Sequence, residues 1–307
     1  PWREYSDVQT ADTLTFYEPT AADAAWAEPV LRAMDSPLCE YDFATIYMWR
    51  KWYGHKIARI GDRLLLESRF DGKLSFLFPV GAAWKEDLLL LREYAHQNGM
   101  PLILYGADEV DLAELDAVFP GQFSVRADPE DADYLYRRSD LDGLPGKRYQ
   151  KKRNHISAFC RAYPDWTYQT LTDDNTADAL ALAERWYREA EPLTGTLQCE
   201  REALPQLLAH REMLRLRGGL LYVEGEPVAL TLASPVSRRV ADVQFEKALS
   251  AYTGAYAMIN QQFVRHELTD AEYINRENDM GIEGLRRAKQ SYYPVLLVQK
   301  YVVTEII

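Results

Sequence analysis

The 307 residues are 47% hydrophobic and 27% charged, with three cysteines and a formal charge of −12. That is enough chain for one large domain or two of about 150 residues, and it excludes a disulfide-stapled scaffold, a CxxC metal site and a body that wraps nucleic acid over its whole surface. The longest aliphatic runs, 88–91 and 295–298, hold four residues each, where a membrane span needs about 20, so a cytoplasmic chain without a transmembrane segment is expected.

In chain order, PWREYSDV at the start lacks the basic, apolar and small-residue succession of a signal peptide. Helices are expected at 21–34 and 43–52, where the aromatic run Tyr41, Phe43, Tyr47, Trp49, Trp52 and Tyr53 reads as core. A three-stranded meander follows at 56–60, 64–68 and 74–80, joined by turns at 61–62 and 71–72, then a helix at 85–98 and a strand at 102–105. The acidic, turn-rich stretch 128–133 is the expected joint, dividing the chain into domains 1–131 and 132–307. Past it, helices at 147–162, 176–190 and 201–216 precede a second meander at 220–223, 228–233 and 240–247. A helix at 255–266, a strand at 271–275 and a final strand at 295–303 complete the chain.

Each half therefore runs helices, three strands, helix, strand. This is the element order of the acyl-CoA N-acyltransferase (GNAT-like) fold, a mixed, mostly antiparallel sheet flanked by helices and splayed between two central strands to admit an acyl donor. Two tandem copies fit the length, and the expected class is α+β. Two unrelated α/β domains that share a meander are the alternative.

Charge is unevenly spread. Eight Lys or Arg against Asp140 and Asp142 give residues 137–161 a charge of +6, leaving −18 for the rest. On a helix advancing about 100° per residue, Tyr149, Ile156, Phe159, Cys160 and Tyr163 form an apolar stripe. Lys147, Arg148, Lys151, Asn154 and His155 share the opposite face, and Lys152 and Arg153 flank the stripe. Cations beside the free amides after Pro145-Gly146 are what a phosphate site requires, with a solvated basic face as the alternative. Gly254, followed by Ala255 at the start of the 255–266 helix, offers a second phosphate approach. The loop carries Ala251 and Tyr256 where coenzyme A-dependent members of the fold carry a basic and a small residue, which weighs against coenzyme A.

Strand alternation over 241–247 sends Asp242, Gln244 and Glu246 to one side, the expected acceptor cleft, with Glu246 as general base. An edge strand with its polar face in water is the alternative. Asn275, Arg276, Glu277 and Asp279 empty from the next strand into the same region. Lys289, Tyr292 and Tyr293, just before Pro294, stand where the acyltransferase fold usually keeps its acid or oxyanion partners, with capping polar residues and half-buried tyrosines as the alternative. No histidine spacing suggests a metal, and none is expected.

The stretches LPGKRYQKKRNHISAF, FEKA and NRENDMGIEGLRRAKQSYYP resemble bacterial proteins similar to the C-terminal domain of phosphatidylglycerol lysyltransferase, and the resemblance covers nearly the whole chain. It implies tandem acyltransferase-fold domains related to the Fem peptidyltransferases, which move an aminoacyl group from charged tRNA to an amine or a lipid hydroxyl. In the Fem group a Lys before the final strand assists transfer, and Lys289 occupies a similar place. Neither the membrane domain of the lipid-modifying enzymes nor the coiled-coil arm of many Fem enzymes is found in the sequence, so phosphatidylglycerol is not implied as acceptor.

The expected function is transfer of an aminoacyl or acyl group from a phosphate-bearing donor, aminoacyl-tRNA foremost, to an amine or hydroxyl of a small molecule or peptide. An acyl-CoA-dependent N-acyltransferase and a non-catalytic ligand-binding protein on the same fold are the alternatives. No DNA partner is expected.

Overall fold

Both predicted meanders form in the computed structural model, which describes residues 14–70 and 72–307. The PWREYSDV reading and Asp71 of the 71–72 turn lie outside the described residues. Helices α1 (Ala24–Ala33) and α2 (Phe43–Trp49) lead into β1 (Lys56–Ile60), β2 (Arg63–Phe70) and β3 (Lys73–Leu77). Asp42 starts α2 by accepting the Ala44 amide at 3.0 Å, the capping role that its short carboxylate suits. Then come α3 (Trp84–Gln97), β4 (Ile103–Ala107), α4 (Glu109–Val118), β5 (Phe123–Ala127), β6 (Asp133–Arg137), α5 (Arg138–Gly143), α6 (Gln150–Ala162) and β7 (Thr167–Thr170). The chain continues through α7 (Thr176–Glu189), α8 (Gly195–Ala209), β8 (Arg217–Val223), β9 (Glu226–Pro235), β10 (Val240–Ala248), α9 (Ala255–Glu267), β11 (Tyr273–Asn275), α10 (Glu283–Gln290), β12 (Leu296–Val298) and β13 (Tyr301–Glu305).

The apolar run of β2 explains why it is central. Leu64 and Leu66 face one apolar cluster and Leu65 another, so both faces of the strand are covered. Leu220 and Leu221 of β8 do the same in the second sheet. The largest cluster draws Ile46 and Leu66 from the first half and Leu182, Leu204 and Leu230 from the second, so the two sheets share one core.

The strand orders are β1-β2-β3-β4-β13-β5 and β7-β8-β9-β10-β11-β6-β12. Apart from β7, a seventh strand at the edge of the second sheet, the two sheets match strand for strand in one topology. An antiparallel meander is followed by a parallel neighbour (β3 to β4, β10 to β11), then by two antiparallel strands. The expected class is therefore met: two mixed, mostly antiparallel sheets flanked by helices. The fifth strand of each repeat is exchanged. Strand β6, which follows the first unit in sequence, sits in the second sheet, and β13, at the end of the chain, returns to the first between β4 and β5.

Sheet membership consequently does not divide at 131/132. The expected final strand 295–303 splits at Gln299-Lys300, with β12 in one sheet and β13 in the other. Val303 is fully buried between β4 and β5, worth about 2 kcal/mol to the first sheet. The expected joint is likewise no linker at its far end, since Asp133 is fully buried at the start of β6. Among the described residues no helix is long and apolar enough to cross a membrane.

Candidate functional site

In each sheet the parallel pair separates soon after it forms, leaving a gap at the strands' C-terminal ends. β3 and β4 align at Phe76 with Leu104 and Leu77 with Tyr105. The Tyr41 hydroxyl then bridges the carbonyls of Phe78, at 2.9 Å, and Gly106, at 3.2 Å. Tyr41 is fully buried, so the first gap is closed by a side chain. In the second sheet β10 and β11 pair from Val240 with Tyr273 to Asp242 with Asn275, after which β10 runs on to Ala248. This gap is lined by charge instead.

Which charges line which face is decided by a β-bulge. The β9–β10 register shifts between Asp242 and Phe245, and a bulge reverses the alternation beyond it. Asp242 and Gln244 face α2, where they meet Thr45 and Asp42. Glu246 turns to the opposite face with Ala241 and Val243. The expected single cleft of Asp242, Gln244 and Glu246 is thus corrected to two half-sites on opposite faces of one gap.

On the α9 face, Glu246 accepts from Asn260 Nδ2 at 3.0 Å and from Arg276 Nη2 at 2.8 Å. The Arg276 guanidinium lies 5.0 Å from the Tyr292 ring centroid and 5.7 Å from that of Tyr136. Lys152 Nζ lies 3.7 Å from the Tyr292 centroid. Burial pushes the Lys152 amine down to about 8, Arg276 adding to the effect and Glu246 opposing it. Arg276 Nη1 and Asn260 Oδ1 are buried without a hydrogen-bond partner. A free guanidinium donor, an ammonium and a carboxylate therefore meet at one gap, an arrangement suited to an anionic group or developing oxyanion next to a base.

Lys289 reaches this cluster only through backbone. Its Nζ donates to the carbonyls of Arg276, Glu277 and Asn278, the Glu277 contact being 3.1 Å. Burial pushes it down to about 8 while the neighbouring Glu277 opposes that shift. With its ammonium committed to three carbonyls, Lys289 holds the loop after β11, where Glu277 takes a left-handed φ of 55°. Tyr292 is buried and Tyr293 is 42% exposed, so the two tyrosines do not share a pocket. The Tyr293 ring packs edge-on to Tyr149.

Asp279 belongs to neither half-site. It accepts from Tyr134 Oη at 2.6 Å, Arg286 Nε at 2.9 Å and the Gly281 amide at 2.9 Å, and these bonds, led by Arg286, hold its carboxyl down at about 2 against burial. Asn275 is also structural. Its amide donates to Asp133 at 2.7 Å and to the Pro37 carbonyl at 2.8 Å, while its oxygen accepts from the Glu277 amide at 2.7 Å.

The basic segment divides in the same way. Lys147, Arg148 and Lys151 are exposed, as their helical angles predict, with Arg148 paired to Asp140 at 2.8 Å. Arg153 is spent on the carbonyls of Leu144 and Gly146, closing the turn before α6. The phosphate reading of Gly254 and Ala255 is corrected, while His155 is half-buried on α6. A Cβ on Gly254, whose φ is 93°, would stand 2.7 Å from the His155 carbonyl oxygen, so the glycine admits helix α6 rather than a ligand. The Ala255 amide already donates to Tyr252 O at 3.0 Å.

The opposite half-site lies between the two units and includes residues the sequence did not disclose. Asp42 accepts from Ser234 Oγ and Gln244 Nε2, and burial raises its carboxyl to about 6 against those bonds. Thr45 Oγ1 donates to Asp242 Oδ2 at 3.2 Å. Asp242 is held well above the usual carboxylate range by burial, with the carboxylates of Glu277, Asp42 and Asp133 adding to it. Glu277 is pushed up to about 8 by burial while Lys289 opposes that shift. Cys39, Glu40 and Asp133 converge closely enough to suit a metal. The Lys300 ammonium stands among them, 2.6 Å from Glu40, 2.7 Å from Asp133 and 3.4 Å from Cys39 Sγ, and supplies the positive charge there. No motif spacing links these residues to Asp242: Asp42 and Thr45 reach β9 and β10 directly from α2, and Cys39 and Glu40 gather around Asp133 of β6 and Lys300 of the turn before β13.

Residues 31–304 match the family described as phosphatidylglycerol lysyltransferase, C-terminal. A conserved protein of unknown function from Bacteroides thetaiotaomicron VPI-5482 is 36% identical and superposes with a TM-score of 0.90 over 95% of this chain and 100% of its own. L-PGS from Bacillus licheniformis, 15% identical, shares the fold with a TM-score of 0.59 over 86% of this chain and 92% of its own. An uncharacterised protein of Mycoplasmoides gallisepticum is 23% identical over 181 residues, so the chain spans 56% of that relative's length and 56% of its own.

Proposed function

The chain belongs to the family of phosphatidylglycerol lysyltransferase C-terminal domains, and from that premise we propose that it is a transferase taking an aminoacyl group from a phosphate-bearing donor on the α9 face of the second sheet. The observation that carries the reading is the cluster of Glu246, Arg276 and Lys152, in which a buried guanidinium nitrogen has no protein partner beside a carboxylate. Arg276 and Lys152 hold the developing oxyanion of the acyl group, and Glu246 takes a proton from the incoming nucleophile. Lys289 keeps Arg276 in place through its carbonyl.

Aminoacyl-tRNA is favoured as the donor because the exposed Lys147, Arg148 and Lys151 lead along α6 to the half-buried Lys152. That basic path suits an acceptor stem whose 3′ end enters the gap. Coenzyme A is disfavoured, since α6 occupies the Gly254 turn that its pyrophosphate would use. Changing Lys147, Arg148 and Lys151 together to Ala is expected to leave the unfolding midpoint nearly unchanged, lower charged-tRNA affinity roughly tenfold or more, and flatten the salt dependence by about two to three counterions. Filter binding over a salt series measures this, and unaltered binding at low salt contradicts the tRNA reading.

A further inference from the structure

The face of the gap opposite the Arg276 cluster is acidic and short of donors. Asp242 is fully buried, one carboxylate oxygen accepts from Thr45, and the other, Oδ1, has no partner. Two residues along β10, Gln244 commits its amide nitrogen to Asp42 and Ser234 and leaves its oxygen Oε1 buried and unpartnered. The charges acting most strongly on Asp242 are those of Glu277, Asp42 and Asp133, all carboxylates. Lys300 is paired with Glu40 and Asp133, and Lys289 with backbone carbonyls beside Glu277, so neither lysine donates to Asp242.

Two buried acceptor oxygens without a donor, set among further carboxylates, call for a group that is cationic and rich in N–H. We propose that this acidic half-site binds a primary ammonium group, held by Asp242 Oδ1 and Gln244 Oε1 with Glu277 beside it, and that this group is the acceptor of the transfer. The inference rests on the transferase reading above and narrows its acceptor from an amine or hydroxyl to an amine.

The placement fits the chemistry. Arg276 points to one face of the gap and Glu277, the next residue, to the other, so a donor and an acceptor entering from opposite faces meet beyond the end of β11. The ammonium gives one proton to a carboxylate, and the resulting amine attacks the acyl carbonyl of the donor ester. A C–N bond forms, the ester C–O bond breaks, and the departing oxygen takes the second amine proton, leaving an amide and a free hydroxyl.

Calorimetric titration of the full chain with butylamine, 1-butanol and tetramethylammonium tests the proposal. Butylamine is expected to bind at least tenfold more tightly than either control, since 1-butanol lacks the charge and tetramethylammonium the N–H donors. Asp242→Asn should weaken butylamine at least tenfold, and Glu277→Gln and Gln244→Leu severalfold each, so the conclusion survives if one variant fails to fold. Indistinguishable binding of butylamine and 1-butanol, or butylamine binding indifferent to all three substitutions, overturns it and leaves water as the partner of those oxygens. Sulfate titrated in parallel reports the opposite face. If sulfate does not bind and butylamine does, the donor reading fails while the amine pocket stands.

Discussion

At Lys152 the surroundings change what the side chain can do. Half-buried over Tyr292 and near Arg276, its amine is pushed down to about 8. Its charge is therefore present below that pH and lost as pH rises through it. Arg276 stays charged throughout and supplies the remaining attraction. Binding of sulfate, whose own charge is constant over this range, should weaken roughly tenfold between pH 7 and 9.5 in the native chain, and much less in Lys152→Met. Titration of both proteins across that range checks this, and parallel pH profiles contradict the role given to Lys152. Glu246, Arg276 and Tyr292 were all legible in the sequence as polar or aromatic residues at the mouth of an expected cleft. Asn260 was not, because a lone asparagine inside a helix gives no signal until the strand it faces is known.

At the scale of elements, the bulge in β10 and the glycine before α9 decide what the site is. Strand alternation is a local rule, and the one-residue insertion at 243–245 that transfers Glu246 to the other face leaves no mark in the residue pattern. Gly254 was legible as a glycine that a helix start needs, but the element pressed against it was not, since α6 lies about a hundred residues earlier. Gly254→Ala introduces a Cβ at 2.7 Å from a carbonyl oxygen and keeps a left-handed φ, so a loss of roughly 2–4 kcal/mol is expected. Urea denaturation measures it. A stability within about 0.5 kcal/mol of native, together with lost sulfate binding, contradicts the packing role and restores the phosphate reading.

Across the whole molecule, exchange of β6 and β13 welds two like sheets into one body with a shared core. In the acidic half-site, Asp42 and Thr45 come from the first half, Asp133 from the exchanged strand β6, and Asp242, Gln244 and Glu277 from the second half. The repeat of elements was legible because each strand carries its own apolar run. The exchange was not, because nothing local distinguishes a strand that stays from one that crosses. The two gaps also differ: Tyr41 closes the first, and charged residues line the second, which is the one the proposed transfer uses.

The central claim is that acyl transfer runs through the Glu246–Arg276 gap from an aminoacyl-tRNA. Its most direct test is single-turnover transfer from tRNA carrying a labelled lysyl group to butylamine, followed in the native chain, Glu246→Gln and Arg276→Met. The account predicts labelled amide in the native reaction, a rate lowered at least a hundredfold in each variant, and tRNA affinity changed less than threefold by Glu246→Gln. Labelled amide formed at the native rate by both variants, or formed from acetyl-CoA but from no charged tRNA, contradicts it.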